Sequence, residues 1–230
     1  MDQTKIVLLI AGIRKSILRV AIALAGTTLV LYFLSPFILR HLQDHLDQDL
    51  AFFGVAEPFV AHIKLAFFAT LFLLVPLLAS VFWRIMARPF KLGPGSRLLF
   101  TLFTCLLFYG GAIFCYQVTL PFGTKFLLSY QSTELRPVIS IDHFVNFVSI
   151  FVLAFGLVFE LPLFMVFLAK VGICPRSAFE RNRRYAVLVI AIVAAVLTPT
   201  PDVFNMALMG VPLYLLYEMG IVALRLMKIC

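Results

Sequence analysis

The chain has 230 residues, of which 63% are hydrophobic and only 13% are charged, and its mean hydropathy is +1.05. This composition excludes a water-soluble globular protein and indicates an integral membrane protein. The net charge of +8 does not indicate nucleic-acid binding, because the basic residues lie at the ends of apolar runs, where they act as topology signals.

The first predicted membrane span follows a basic N-terminal region and covers residues 17–39. Its uncharged run from Val20 to Leu39 is long enough to cross a bilayer, which takes about 20 residues. A cleavable signal peptide is the alternative, because the small residues of AIALAG suit a cleavage site. The apolar run continues beyond them, which favours an uncleaved helix.

A polar loop is predicted from Arg40 to Pro58, with an excess of acidic residues. His41 and His45 would share a helix face, and Asp44 and Asp49 lie near enough in sequence to suggest a metal site. No complete ligand set accompanies them, so the sequence favours a solvated acidic loop and predicts no metal.

Two further spans follow, with a basic loop between them at residues 84–97. Pro76 predicts a kink within the second helix, because proline cannot donate a backbone hydrogen bond. Gly110 and Gly111 predict close helix packing in the middle of the third. A second polar loop is predicted at residues 121–142.

The fourth span contains the one carboxylate predicted to lie deep in the membrane, Glu160, two residues before Pro162. A charge at that depth costs about 2.5–3.5 kcal/mol on insertion scales, so such residues face a cavity or a partner. Pro162 cannot donate to the carbonyl of Val158, which predicts a kink. Glu160 is either a contact point for a translocated or docked polar group or a hydrogen-bonding residue that holds the helices together.

The last two apolar runs are short. Only 14 residues, 185–198, precede the pair Pro199 and Pro201, and 15 residues separate Asp202 from Glu218. Fourteen helical residues span about 21 Å, less than the ~30 Å hydrocarbon core. The sequence therefore predicts a short hairpin that thins the bilayer or accepts a partner helix. Glu218 is expected to snorkel or to pair with Arg225.

These spans predict a single all-α membrane domain, residues 1–230, with six transmembrane helices. Fifteen of the 19 basic residues fall on one side of the predicted membrane, which places both termini in the cytoplasm. The predicted helices are 17–39, 59–83, 98–120, 143–169, 185–198 and 203–224.

No catalytic or nucleotide-binding motif is present, so the sequence predicts neither an enzyme nor a cofactor. The four cysteines form no metal-binding spacing and are interpreted as small hydrophobic residues. The basic cluster at residues 180–184 is interpreted as a topology anchor, with an anionic-lipid or partner site as the alternative.

Several motifs occur together in an order that resembles the TatC subunit of the twin-arginine protein translocase. Between Glu57 and the C-terminus, the resemblance covers nearly the whole chain. The motifs are EPFVAHIKLAFF (57–68), FLLSY before SIDHFVNF, FELPL (159–163), RRYAVLVIAIVAAVLTPTPDVF (183–204) and PLYLLYEMGI (212–221).

The resemblance implies a receptor for folded precursors whose signal peptides carry paired arginines, in the cytoplasmic membrane of a cell. It implies a concave, glove-like helix bundle, single-span partner subunits TatA and TatB, a homo-oligomeric receptor complex and transport driven by the proton-motive force. It also implies signal or partner contacts at Glu160, Arg14 and Arg97. Partner-helix and structural roles are expected for Pro162, Pro199, Asp202 and Glu218.

Two positions depart from the family pattern. A carboxylate expected in the N-terminal region is replaced by Gly12, and another in the first cytoplasmic loop by Gly95. The resemblance assigns those carboxylates to the signal's arginines, so the sequence predicts weakened or relocated recognition, with Glu180 as a possible substitute acid. Two other functions stay open: a secondary transporter with Glu160 as its proton or substrate site, and a structural membrane protein that lost the receptor role.

Overall fold

The computed structural model describes residues 3–46, 50–87, 90, 93–128, 139–197 and 203–227. Ten α-helices, one π-helical turn and two short strands form this part of the chain. The helices are α1 (Gln3–Leu46), α2 (Glu57–Leu73), α3 (Val75–Ala87), α4 (Pro94–Phe114), α5 (Leu120–Leu128), α6 (Ile141–Phe159), α7 (Leu161–Lys170), α8 (Arg176–Arg181), α9 (Arg183–Leu197) and α10 (Val203–Leu226). The strands are β1 (Leu50–Ala51) and β2 (Ile139–Ser140), and the π-helical turn is Cys115–Thr119.

The protein is an all-α polytopic membrane protein. Within the described residues, four helical stretches are long and apolar enough to cross a membrane, and the pair α2–α3, bent by 55°, is a fifth candidate. These five correspond to predicted helices one, three, four, six and two. The four single stretches are Ile17–Leu46, Pro94–Thr124, Ile141–Lys170 and Met209–Leu226.

The last two helices differ in length. α9 has 15 residues, or about 22 Å at 1.5 Å per residue, and is short as predicted. α10 has 24 residues, so the prediction that helix six is short is wrong. The predicted bounds, 203–224, agree closely with α10, but its length was judged from the uncharged run up to Glu218 alone. Glutamate is a good helix former, and the helix continues through it to Leu226.

The two predicted polar loops, residues 40–58 and 121–142, contain regular structure. α1 continues to Leu46, because no glycine or proline interrupts the polar residues after Arg40, and α5 continues to Leu128. Beyond α1, β1 pairs in parallel with β2, Leu50 opposite Ile139 and Ala51 opposite Ser140. Predicting these segments as loops throughout was therefore wrong, although the two-residue strands leave the fold all-α.

Pro76 and Pro121 account for two of the interruptions in the helices. The bend between α2 and α3 falls at Leu74, and Pro76 follows it, as the predicted kink requires. Pro121 cannot donate to the carbonyl of Gln117, and its ring would clash with that carbonyl in a regular helix. The chain forms a π-helical turn instead, in which the N–H of Leu120 donates to the carbonyl of Cys115.

The described chain divides into two compact units, residues 1–105 with 138–149 and residues 106–137 with 150–230. In the first unit, α1 packs along α2, where Ser35 Oγ lies 3.0 Å from His62 Nδ1. Trp83 of α3 stacks on Phe100 with ring centroids 4.6 Å apart, and its Nε1 donates to Thr104 Oγ1 at 2.8 Å. A partly buried hydrogen bond and a ring stack thus fix the α3–α4 contact of this unit.

Glycines allow the closest helix approaches of the second unit. A Cβ at Gly111 would lie 2.8 Å from the backbone oxygen of Phe155, whereas one at Gly110 would meet nothing within 4 Å. The predicted close packing is therefore confirmed for Gly111 and wrong for Gly110, which faces the other side of the helix. Gly156 makes a similar approach, to the ring of Phe108.

Candidate functional site

Glu160 occupies a break in the fourth predicted span. It is the single residue between α6 and α7, and its N–H donates to the carbonyl of Leu157 at 3.2 Å, which tightens the helix there. Helical bonding resumes where the N–H of Phe164 donates to the Glu160 carbonyl at 3.0 Å. The break follows from Pro162, which supplies no N–H for the turn before it.

The Glu160 side chain is 6% exposed, so the carboxyl lies inside the protein and not in lipid. One turn beyond it, α10 approaches α7 closely. A Cβ at Gly220 would lie 2.7 Å from Met165 Sδ and 3.2 Å from Pro162 Cα. The structure thus buries an acid beside a tightly packed helix pair, in keeping with the rule that ionisable residues of membrane helices face the protein interior.

Glu218 lies two residues before Gly220 in α10 and pairs with Arg183, at the start of α9. Arg183 Nη2 donates to Glu218 Oε2 at 3.0 Å, while Arg183 Nε lies 3.0 Å from Oε1 without hydrogen-bond geometry. Tyr214 also donates to Oε1, at 3.1 Å. The expected pairing of Glu218 with Arg225 is wrong, because seven residues of helix separate the two by about 10.5 Å along the axis.

Arg225 instead pairs with Glu180 of α8. Glu180 Oε1 accepts from Arg225 Nε at 2.9 Å and from Arg176 Nε at 3.0 Å. The hydrogen bond from Arg225, with the charge of Arg176, holds the pKa of the Glu180 carboxyl below its usual value. Tyr217 of α10 adds a bond of 2.8 Å to the carbonyl of Phe179, so α8 is fastened to α10 and Glu180 is already engaged by two arginines.

Arg97 and Gly95 lie together in the first turn of α4. Arg97 is half-buried, Gly95 is exposed, and a Cβ at Gly95 would meet nothing within 4 Å. That first turn contains no acidic residue, although a helix N-terminus favours negative charge. A carboxylate at position 95 would therefore fit both the space and the local electrostatics.

Four predicted positions have no described side chain. Arg14 and Gly12 lie in the part of α1 for which only the backbone is described, and Pro199 and Asp202 lie outside the described residues. Within the described residues, no group of three His, Cys, Asp or Glu side chains is placed to hold a metal ion.

Sequence reasoning missed a polar cluster in the first unit. Lys64 Nζ donates to both Asp142 oxygens, at 2.7 and 2.8 Å, and the Ser140 hydroxyl donates to Glu57 Oε1. Glu57 Oε2 accepts from the N–H groups of Phe53 at 2.7 Å and Gly54 at 3.3 Å. The ion-pair partners are 78 positions apart, and no local pattern in the sequence links them.

The chain is similar to one protein family over most of its length. Residues 9–212 match the family described as TatC, Sec-independent protein translocase protein. The chain is 37% identical to a Sec-independent protein translocase protein TatC of Koribacter versatilis, over 77% of this chain and 66% of that protein. It is 33% identical to the protein of the same name from Carboxydothermus hydrogenoformans, over 94% of this chain and 91% of that protein.

The fold also matches that of a solved structure. A crystal structure of the twin-arginine translocase receptor TatC, in DDM, superposes with a TM-score of 0.82 and 26% sequence identity. The match covers 94% of this chain and 98% of that one. The chain spans about two thirds of the length of the Koribacter relative but almost all of this solved receptor.

Proposed function

The chain belongs to the TatC family, and from this premise we propose that it is the receptor subunit of a twin-arginine translocase for folded proteins. The observation that carries the proposal is the match to a solved receptor of that kind over 94% of the chain. The family match over residues 9–212 and the candidate spans support it. Catalysis of a covalent reaction forms no part of this role.

The finer features of this role are also proposals. The subunit works in the cytoplasmic membrane with both termini in the cytoplasm, an orientation supported by the fifteen-to-four distribution of basic residues. Its partners are single-span subunits of the TatA and TatB type, precursors with twin-arginine signals, and further copies of this chain. Transport draws on the proton-motive force.

Co-purification tests the function as a whole. We expect the tagged chain, extracted from membranes in mild detergent, to retain single-span subunits and a precursor with a twin-arginine signal. A photo-crosslinker placed beside the signal's arginines should form adducts with this chain. Retention of a small solute with no precursor and no single-span subunit would favour the secondary transporter instead.

Signal recognition is proposed to be weaker than in relatives that carry both carboxylates. Arg–carboxylate pairs are the natural chemistry for an arginine pair, and Gly12 and Gly95 offer none. Glu180 is a poor substitute, because Arg176 and Arg225 already share its Oε1. An incoming arginine would also meet the positive charges of Arg176 and Arg225 at this carboxylate.

We predict that Gly95→Glu strengthens binding of a twin-arginine peptide by up to about fivefold, since an exposed ion pair contributes about 0.2–1 kcal/mol. The added Cβ meets no other atom within 4 Å, so the change is tolerated structurally. Fluorescence anisotropy with a labelled peptide in detergent measures the affinity. Addition of Gly12→Glu should increase the gain further.

The neutral variant Gly95→Gln is the matched control and should show no gain. The gain should also vanish with a twin-lysine peptide, because lysine cannot pair bidentately, and shrink at high salt. Tight binding by the unmodified chain that disappears in Glu180→Gln would contradict the prediction and would place recognition at Glu180.

A further inference from the structure

An uncharged apolar tip precedes α2 in the first unit. The seven residues from Leu50 to Ala56 are all apolar or glycine, and they lie between Asp49 and Glu57. Phe52 is 67% exposed, Phe53 is 73% exposed and Val55 is fully exposed. Exposing three large apolar side chains side by side in water is unfavourable, so this tip, residues 52–55, requires a partner surface.

Contacts on both sides hold the tip in this position. On its N-terminal side, β1 pairs with β2. On its C-terminal side, Glu57 accepts hydrogen bonds from the N–H groups of Phe53 and Gly54, and the Glu57 N–H donates to the Gly54 carbonyl at 3.1 Å. Ser140, next to Ile139 in β2, bonds the same carboxylate. The backbone therefore presents the phenylalanines outward.

The exposed apolar surface continues from the tip into the first turns of α2. Phe59 is 58% exposed and Ile63 is 42% exposed, and both lie in a helix that forms the first half of a candidate span. Lipid covers such side chains in a membrane protein. The tip directly precedes α2, where this span begins. It is therefore expected at the level of the lipid headgroups.

We propose that Phe52, Phe53 and Val55 insert into the adjacent bilayer leaflet, at the boundary between headgroups and acyl chains, and anchor this loop to the membrane. Apolar residues of interfacial segments penetrate that region by about 5–10 Å. The occupant of the surface is thus lipid acyl chain. The anchor fixes the depth at which α2 begins and at which Lys64 and Asp142 form their ion pair.

Fluorescence quenching tests the insertion. The chain has one tryptophan, Trp83, which is 1% exposed. Its emission is measured in the unmodified protein and subtracted from that of each variant. We expect Phe53→Trp, in phosphatidylcholine vesicles, to add blue-shifted emission that is lost when lipids carry bromine near the top of the acyl chain. Bromine near the chain end should quench less, and aqueous acrylamide should quench little.

Asp44→Trp is the matched control, because Asp44 is exposed in the polar last turns of α1, and acrylamide should quench its emission. Val55→Trp serves as a second probe of the tip if Phe53→Trp does not fold. Acrylamide quenching of both tip probes as strong as that of Asp44→Trp would overturn the proposal. So would protection from both quenchers, which would show that protein covers the tip. Neither result would bear on the translocase function.

Discussion

Glu160→Gln is expected to reduce transport by about tenfold or more while leaving the amount of membrane-inserted protein unchanged or higher. A hydrogen bond to a charged group contributes about 1.5–3 kcal/mol, and 1.4 kcal/mol corresponds to a factor of ten. Insertion cannot be the cause of the loss, because a neutral amide is no more costly to bury in a membrane than a charged carboxylate. Export of a twin-arginine precursor in cells that carry only this variant measures the effect.

Ser149→Ala is the control for this experiment. Ser149 is 6% exposed, as Glu160 is, and lies in α6, but it is uncharged and distant in sequence from the break at Glu160. We expect normal export from Ser149→Ala and partial export from Glu160→Asp, which keeps the charge on a shorter side chain. Full export by Glu160→Gln would show that the carboxylate only supports the packing of α7 and its neighbours.

Gly111→Ala is expected to destabilise the protein, whereas Gly110→Ala should be neutral or stabilising. The new Cβ at position 111 would lie 2.6 Å from Phe159 Cγ and 2.8 Å from the backbone oxygen of Phe155. A backbone atom cannot rotate away, so α4 and α6 must separate, and such overpacking costs about 1–3 kcal/mol. At Gly110 the Cβ meets nothing, and replacing glycine in a helix gains up to about 1 kcal/mol.

Thermal unfolding in detergent, followed by circular dichroism, compares the two variants. Gly110 and Gly111 are adjacent residues of one helix, so the two variants differ only in which side of the helix receives the new methyl group. The sign of the shift in the unfolding midpoint temperature therefore isolates the packing effect. Equal shifts in the two variants would contradict the close approach of α4 and α6. Gly220→Ala should resemble Gly111→Ala, though less severely, because its closest neighbour is the flexible Met165 side chain.

The sequence by itself determined the features that depend on local chemistry. A run of about 20 apolar residues needs a bilayer wherever it occurs, so the class of protein and most of its spans follow from hydropathy. Pro76 and Pro162 interrupt helices because a missing N–H acts on the preceding turn alone. The burial of Glu160 follows in the same way, since the cost of a charge in lipid does not depend on which helices surround it.

Only the tertiary structure decided which side chains meet. Glu218 pairs with Arg183 and not with Arg225, and Lys64 meets Asp142 across 78 positions. Gly110 and Gly111 are equivalent in sequence, yet only Gly111 faces a neighbouring helix. Such contacts depend on helix rotation and on chain segments far apart in sequence, and hydropathy carries no information about either. Local rules therefore place the helices and their breaks, and packing selects the partners.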